Sequence, residues 1–232
     1  MLANRCREGA AWRLAGSLVI ALTLAAPPAQ GQTTKPAFQT QTFAYTPPER
    51  QPKGPRNRYV DDSADAVFQQ LWAWVEEQQL KVESVNPTER IIVARYSGDP
   101  RPYIDCGVVT MLVDGKPVDP PKEFSAAKDE LRTTKTANKR RYGLLRQLVL
   151  DARLVLRVEP RGKGARAYSD AVYVVTKTLR RVRKGGKPDE LVDRDVISFR
   201  SDETGQFKKG TTCVGTGKLE AMPLEPFRKP AS

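Results

Sequence analysis

Apolar residues recur along this chain with two different periods. Leu148, Leu150, Ala152, Leu154, Leu156 and Val158 alternate with Asp151, Arg153 and Arg157. A period of two belongs to a strand with one buried face. Arg161-Gly162-Lys163-Gly164 then turns the chain, and Ala171 to Val182, with Val172, Tyr173, Val174 and Val175, is the expected hairpin partner. Val196 to Arg200 reads as a last strand with Ile197 and Phe199 on one face. Thr204-Gly205 is a turn, and Thr211 to Met222 is a short closing segment with a helical turn, ended by Pro223.

The other period is helical. Phe68, Leu71, Trp72 and Val75 follow i, i+3, i+4, i+7 spacing, which predicts an amphipathic helix from Asp62 to Gln79. Trp74 widens its apolar face, and Asp62 or Ser63 can cap it. Leu80 to Val85 and Arg90 to Tyr96 flank Asn86-Pro87-Thr88-Glu89, the residue types of a β-turn, and so predict a hairpin. Ser97 to Pro102 reads as a loop, and Tyr103 to Val113 as a further strand carrying Cys106. Residues 114–141 form a long polar connection that Gly115, Pro117, Pro120 and Pro121 keep irregular, with room for a short surface helix from Phe124 to Thr134.

Strands in sequential hairpins favour an antiparallel sheet whose apolar face needs a cover. The expectation is an α+β domain: an antiparallel, curved sheet covered by one main helix, with a long loop and a long hairpin. The predicted domain spans residues 59–222, with a mobile loop at 114–141 and a flexible tail at 223–232. A Pro/Thr/Gln-rich linker at 32–58 precedes it, holding Phe43, Ala44 and Tyr45 as the anchor of a partner-binding peptide if it has a function of its own.

The N-terminus changes the setting. Arg5, Arg7 and Arg13 precede the apolar run Leu14 to Ala26, and small residues Ala29 and Gly31 stand before Gln32. This is the pattern of a signal peptide over residues 1–31, and it predicts a periplasmic or otherwise extracytoplasmic protein. The run is too short for a comfortable membrane span, and no later segment is long and apolar enough to be one. Cys6 would leave with the signal. Cys106 and Cys213 remain, and in an oxidising compartment they are expected to form a disulfide.

Charge adds a functional clue. The 232 residues carry 39 Lys and Arg against 27 Asp and Glu, a net charge of +12. Residues 59–131 hold 7 basic and 14 acidic side chains, whereas residues 132–187 hold 17 and 3. The cations cluster at Lys139, Arg140 and Arg141, at Arg161, Lys163 and Arg166, and at Arg180, Arg181, Arg183 and Lys184. Such a region attracts anionic surfaces. Outside the cytoplasm these are lipid head groups, lipopolysaccharide phosphates or acidic proteins. The expected partner is an anionic envelope component or an envelope protein, with nucleic acid excluded by export. A solubilising surface is the plainer alternative.

Catalytic patterns are incomplete. Histidine is absent, which removes Ser–His–Asp and Cys–His chemistry and HExxH zinc sites. Ser125-Ala126-Ala127-Lys128 fits S-x-x-K, but no SDN or KTG accompanies it. Gly210 to Lys218 has some P-loop residues without the spacing or the following Ser or Thr. Asp61-Asp62, Glu76-Glu77, Asp193 and Asp195 fit helix-start, helix-surface and turn positions. No metal or cofactor is implied. The reading is a non-enzymatic binding or accessory protein; the alternative is a periplasmic hydrolase with an unrecognised site.

The segments Val67-Phe68-Gln69-Gln70-Leu71-Trp72, Val82-Glu83-Ser84-Val85 and Glu89-Arg90-Ile91-Ile92-Val93-Ala94-Arg95-Tyr96 together resemble the helix-plus-hairpin opening of BamC-type envelope lipoproteins. The resemblance covers about 40 residues. It implies a helix-grip-like extracytoplasmic domain of the kind that accompanies the outer-membrane barrel-assembly machinery. It carries over no catalytic residue, and this chain lacks a lipid-attachment cysteine after the apolar run.

Overall fold

The alternation at 148–158 extends into a hairpin far longer than its apolar run. A computed structural model describes residues 41–49, 56–135, 141–182 and 188–227, all within one compact unit, Gln39–Ser232. In chain order the described strands begin with β1 (Gln41–Thr46) and β2 (Asn57–Val60). Helix α1 (Ala64–Glu77) follows, then β3 (Lys81–Asn86), β4 (Ile91–Gly98), β5 (Ile104–Asp105) and β6 (Val108–Val113). Next come β7 (Lys116–Pro117), β8 (Glu123–Ser125) and β9 (Glu130–Lys135). The long strands are β10 (Arg141–Arg161), β11 (Gly164–Val182) and β12 (Pro188–Arg200). The chain closes with β13 (Thr204–Gln206), β14 (Thr212–Gly215), α2 (Lys218–Ala221) and a 3-10 turn, Met222–Phe227.

The expected α+β architecture is thus corrected. The described residues are mostly antiparallel β-sheet, with two short helices and no closed barrel among them, and a sheet with one main helix does not describe them. The difference arises where polar composition hid pairing. The connection at 114–141 carries β7, β8, β9 and the start of β10, and Phe124 to Thr134 holds two strands joined by a turn at 126–129 rather than a helix. Backbone pairing with β6 and β10 supplies the order that side-chain hydrophobicity there does not. Residues 41–46 and 57–58, within the expected linker, belong to β1 and β2 for the same reason. Pro223 does not end the closing segment, because 3-10 geometry continues through it and buries Leu224. The expected signal peptide and residues 228–232 of the expected tail lie outside the described residues.

The described residues build three sheets. The largest has the order β12-β11-β10-β4-β3, with β2 on β11 and β9 on β10. A second joins β1, β6, β7 and β8, and a third runs β13-β14-β5. Even-numbered positions of β10 and odd-numbered positions of β11 share one face, because Leu150 pairs with Val175 and Leu154 with Ala171. That face is the core, and Leu150, Ala152, Leu154, Leu156, Tyr173 and Val175 are all buried on it.

Two different covers lie over this face. Helix α1 lays Val67, Phe68, Leu71, Trp74 and Val75 on it, with Trp74 rather than Trp72 the buried indole. Ser63 caps α1 by accepting a hydrogen bond from the Ala66 amide at 3.3 Å. Asp65 in the first turn meets Arg90 at 2.7 Å. Farther along the hairpin, the β1–β6–β8 sheet and the turn Lys208–Thr211 stand over the same face. Cys106, between β5 and β6, is bonded to Cys213 in β14 and ties the two smaller sheets together. Among the described residues no helix is long and apolar enough to cross a membrane.

Candidate functional site: the open face of the large sheet

Register places cations side by side on the face of the large sheet that carries neither cover. Lys81 pairs with Arg95, Arg95 with Arg153, Arg153 with Val172, and Val172 with Arg200. All five lie on one row across β3, β4, β10, β11 and β12. Neighbouring strands stand about 4.8 Å apart, so the row spans roughly 20 Å. Lys81, Arg95, Arg153 and Arg200 are exposed. Like charges directly opposite one another repel. One carboxylate relieves part of this: Glu83 lies 3.5 Å from Arg95 and 3.1 Å from Arg153. It can do so because the register shifts between Val82 and Ser84, leaving Glu83 as the extra residue of a bulge that re-aims it. The row therefore carries four cations, with Glu83 between two of them and Glu203 accepting from the Arg200 amide at 2.9 Å.

A second cation group follows toward the hairpin tip. Arg157 pairs with Tyr168 across β10 and β11, and its guanidinium sits 4.6 Å from the ring centroid. Arg166 approaches the same ring at 6.0 Å. The Tyr168 hydroxyl donates to Glu159 at 3.0 Å, and Glu159 also meets Arg157 at 2.8 Å and Arg161 at 3.9 Å. Between the two groups Val93, Val155 and Asp170 form a row, and Val172, Val174, Val149 and Val196 continue an apolar stripe away from the tip.

The basic residues singled out by sequence separate into two places. Arg161 and Lys163 form the tip of the long hairpin, and Arg166 lies beside it on β11. Arg180 and Arg181 lie at the opposite end of β11, about 45 Å away at the rise of a strand. There Arg181 is paired with Glu190 at 2.8 Å. Lys139, Arg140, Arg183 and Lys184 lie outside the described residues, and Arg141 is described only as the first residue of β10. The structure thus brings Arg161 and Arg166 toward Arg157, Arg153 and Arg95, and holds Arg180 and Arg181 apart from them. The alternation along β10 already turned Arg153 and Arg157 away from the core. That Arg95 and Arg200 share Arg153's row depends on register, which no local pattern reveals.

The other chemistry singled out by sequence is dispersed. Ser125 ends β8 and Lys128 lies in the turn that follows it, where the Ser125 hydroxyl accepts from the Ala127 amide at 3.2 Å. That is a local turn contact, not the helical geometry an S-x-x-K nucleophile needs. Gly210 is a turn glycine, and Gly217 precedes the four-residue α2. Asp193 is bound by Lys209 at 2.8 Å, and that bond holds its carboxyl below the usual range. Asp195 accepts from the Lys208 amide at 2.8 Å. No group of three Cys, Asp or Glu able to hold a metal occurs among the described residues.

No protein-family model matches the chain, and no curated protein or solved structure shows significant similarity to it.

Proposed function

We propose that the protein is an extracytoplasmic, non-enzymatic binding module that contacts an anionic envelope component through the open face of its large sheet. One observation carries this reading: Lys81, Arg95, Arg153 and Arg200 share one exposed row, with Glu83 bridging two of them. A flat array of guanidinium groups suits phosphate or carboxylate, which each can grip with two donors. Arg157 and Arg166 extend the field toward the tip. The signal-like pattern at 1–31 and the likeness of residues 67–96 to BamC-type lipoproteins favour the same setting.

The alternative, a hydrolase, needs a nucleophile bonded to a base. Lys177 is the lysine whose burial pushes its ammonium below the usual range. Thr211 shares a cavity with it, and no hydrogen bond joins the two. The binding reading is therefore the one favoured.

The test is binding of the purified protein to anionic and neutral vesicles over a salt series. Wild type should prefer anionic vesicles, and Arg95→Gln, Arg153→Gln and Arg200→Gln should each weaken binding by about 1 kcal/mol at low salt. Added salt should erase the difference, since exposed charges are screened within about 10 Å at 0.1 M. Arg180→Gln and Arg181→Gln, at the far end, should change binding less. Equal binding to both vesicle types without salt dependence would defeat the proposal.

A further inference from the structure

The second site lies on the covered face, between two sheets that do not close on each other. Strand β1 presents Phe43 and Tyr45 on the same face as Val109 of β6, because Phe43 pairs with Met111 and Tyr45 with Val109. Opposite them are Leu144 of β10 and Leu179 of β11. These residues line a groove of about 490 Å³. Phe43 and Tyr45 remain 39% and 37% exposed although they face inward, because the groove lies beneath them. Packed sheet faces normally interdigitate across their gap. A gap of this size, with apolar residues on both walls, falls in the range of small-molecule sites.

One end of the groove is charged: Arg146 lies 3.5 Å from Glu130 there, and Lys209 lies 2.8 Å from Asp193. A smaller cavity of about 140 Å³ is lined by Arg146, Lys177, Leu179, Asp193, Lys209 and Thr211. It shares Arg146, Leu179, Lys209 and Thr211 with the groove, so the two are continuous. Lys177 is the unusual member. Its side chain is 14% exposed, and its Nζ stands 4.1 Å from the centre of the Phe207 ring. Its nearest carboxylate oxygen, Asp195 Oδ2, is 3.8 Å away and already accepts from the Lys208 amide at 2.8 Å. At 3.8 Å the ion pair is too long for a hydrogen bond. A half-buried ammonium has three donors to satisfy, and none meets an acceptor within bonding distance among the described residues. Burial pushes Lys177 below the usual lysine range; Asp195 and Asp193 oppose that shift, while Lys209 and Arg146 add to it.

We propose that this groove binds a single-chain amphiphile, its hydrocarbon tail between the β1–β6 sheet and the long hairpin and its carboxylate or phosphate head on Lys177. An anionic head would give the ammonium the acceptor it lacks. Arg146 and Lys209 would stand on either side of the head, and Leu144, Leu179, Phe43 and Val109 would enclose the tail. The site is separate from the exposed cation row, which lies on the opposite face of the same sheet.

Isothermal titration of the full chain with dodecanoate, dodecyl phosphate, dodecanol and butyrate, each below its aggregation limit, tests this. At least one of the two long-chain anions should bind ten times more tightly than dodecanol or butyrate, and their ratio distinguishes a carboxylate from a phosphate head. Lys177→Met should reduce that anion's affinity to the level of dodecanol while keeping the packing against Phe207. Lys209→Gln, at an exposed position, should reduce it several-fold without endangering the fold. Arg95→Gln with Arg153→Gln should leave it unchanged. Failure of both long-chain anions to bind, binding no tighter than dodecanol, or full affinity in both lysine variants would overturn the proposal. So would loss of binding in the Arg95/Arg153 variant, which would move the site to the other face.

Discussion

The Tyr173 hydroxyl donates a 2.7 Å hydrogen bond to Oε2 of Glu220, and both side chains are sealed from solvent at 0% and 1% exposure. The bond joins the middle of β11 to α2, a helix too short to hold itself in place. Glu220 Oε1 has no hydrogen-bond partner among the described residues, so the carboxylate depends on this one donor. The Tyr173 ring stacks on Phe199 with centroids 5.4 Å apart, and Gly215 leaves room for it: a Cβ there would stand 2.9 Å from Tyr173 Cε2. The closing segment is therefore fastened by a polar contact inside an aromatic cluster.

Tyr173→Phe keeps the ring and removes the donor. A buried acceptor left unsatisfied costs about 1–3 kcal/mol, and more when it is charged. Thermal denaturation should show a fall in Tm of several degrees, and proteolysis should begin within residues 216–227. An unchanged Tm would mean that Glu220 finds another donor.

Alkaline pH should act through the same contact. Burial first, then the charge of Glu220, raises the phenol of Tyr173 above its ordinary range. A group whose folded value is raised stabilises the fold below the unfolded value and loses that contribution as pH rises past it. The unfolded phenol titrates near about 10, so stability should hold to that pH and decline above it. Tyr173→Phe should flatten the decline, which a series of Tm measurements from pH 8 to 11 would register.

The Cys106–Cys213 bond closes a loop with a sequence separation of 107. The chain-entropy model gives such a closure about 4–5 kcal/mol. Changing both cysteines to Ser should lower the denaturation midpoint by that order. Thiol labelling of the unreduced, denatured full chain should find Cys6 as its free cysteine; two further labelled thiols would contradict the bridge.

Glu83 has opposite effects on stability and on binding. It lies between Arg95 and Arg153, so Glu83→Gln removes the carboxylate that bridges two cations of the row. Half-exposed ion pairs contribute about 0.2–1 kcal/mol each, so the stability loss should be small. Binding to anionic vesicles should strengthen at low salt, because the row gains a net positive charge. Weaker binding would show that Glu83 positions the arginines for the contact.

Gly164 begins β11 under the backbone of β2. A Cβ at this position would clash with the Val60 carbonyl oxygen and stand 2.7 Å from the Tyr59 hydroxyl. Backbone cannot swing aside as a side chain can, so Gly164→Ala should detach β2 and cost about 1–3 kcal/mol. Faster amide exchange at Asn57 to Val60, with β10 protected as before, is the expected signature.

Local periodicity was enough to determine several parts of this protein. The alternation of Leu148 to Val158 named the buried face of β10, because a strand's two faces are set by parity alone. The spacing of Phe68, Leu71 and Val75 placed α1, and the two cysteines outside the signal-like segment were expected to pair, as they do. Tertiary structure decided the rest. Whether Phe124 to Thr134 became helix or strand depended on free edges of β6 and β10, contributed by distant residues. That choice turned an expected helix-covered sheet into a mostly β molecule. The candidate sites have the same origin. Arg95, Arg153 and Arg200 are neighbours only through the registers of β4, β10, β11 and β12. Phe43 faces Leu179 only because β1 pairs with β6 above the hairpin. Register follows from the summed fit of whole strands, so no single stretch of residues contains it.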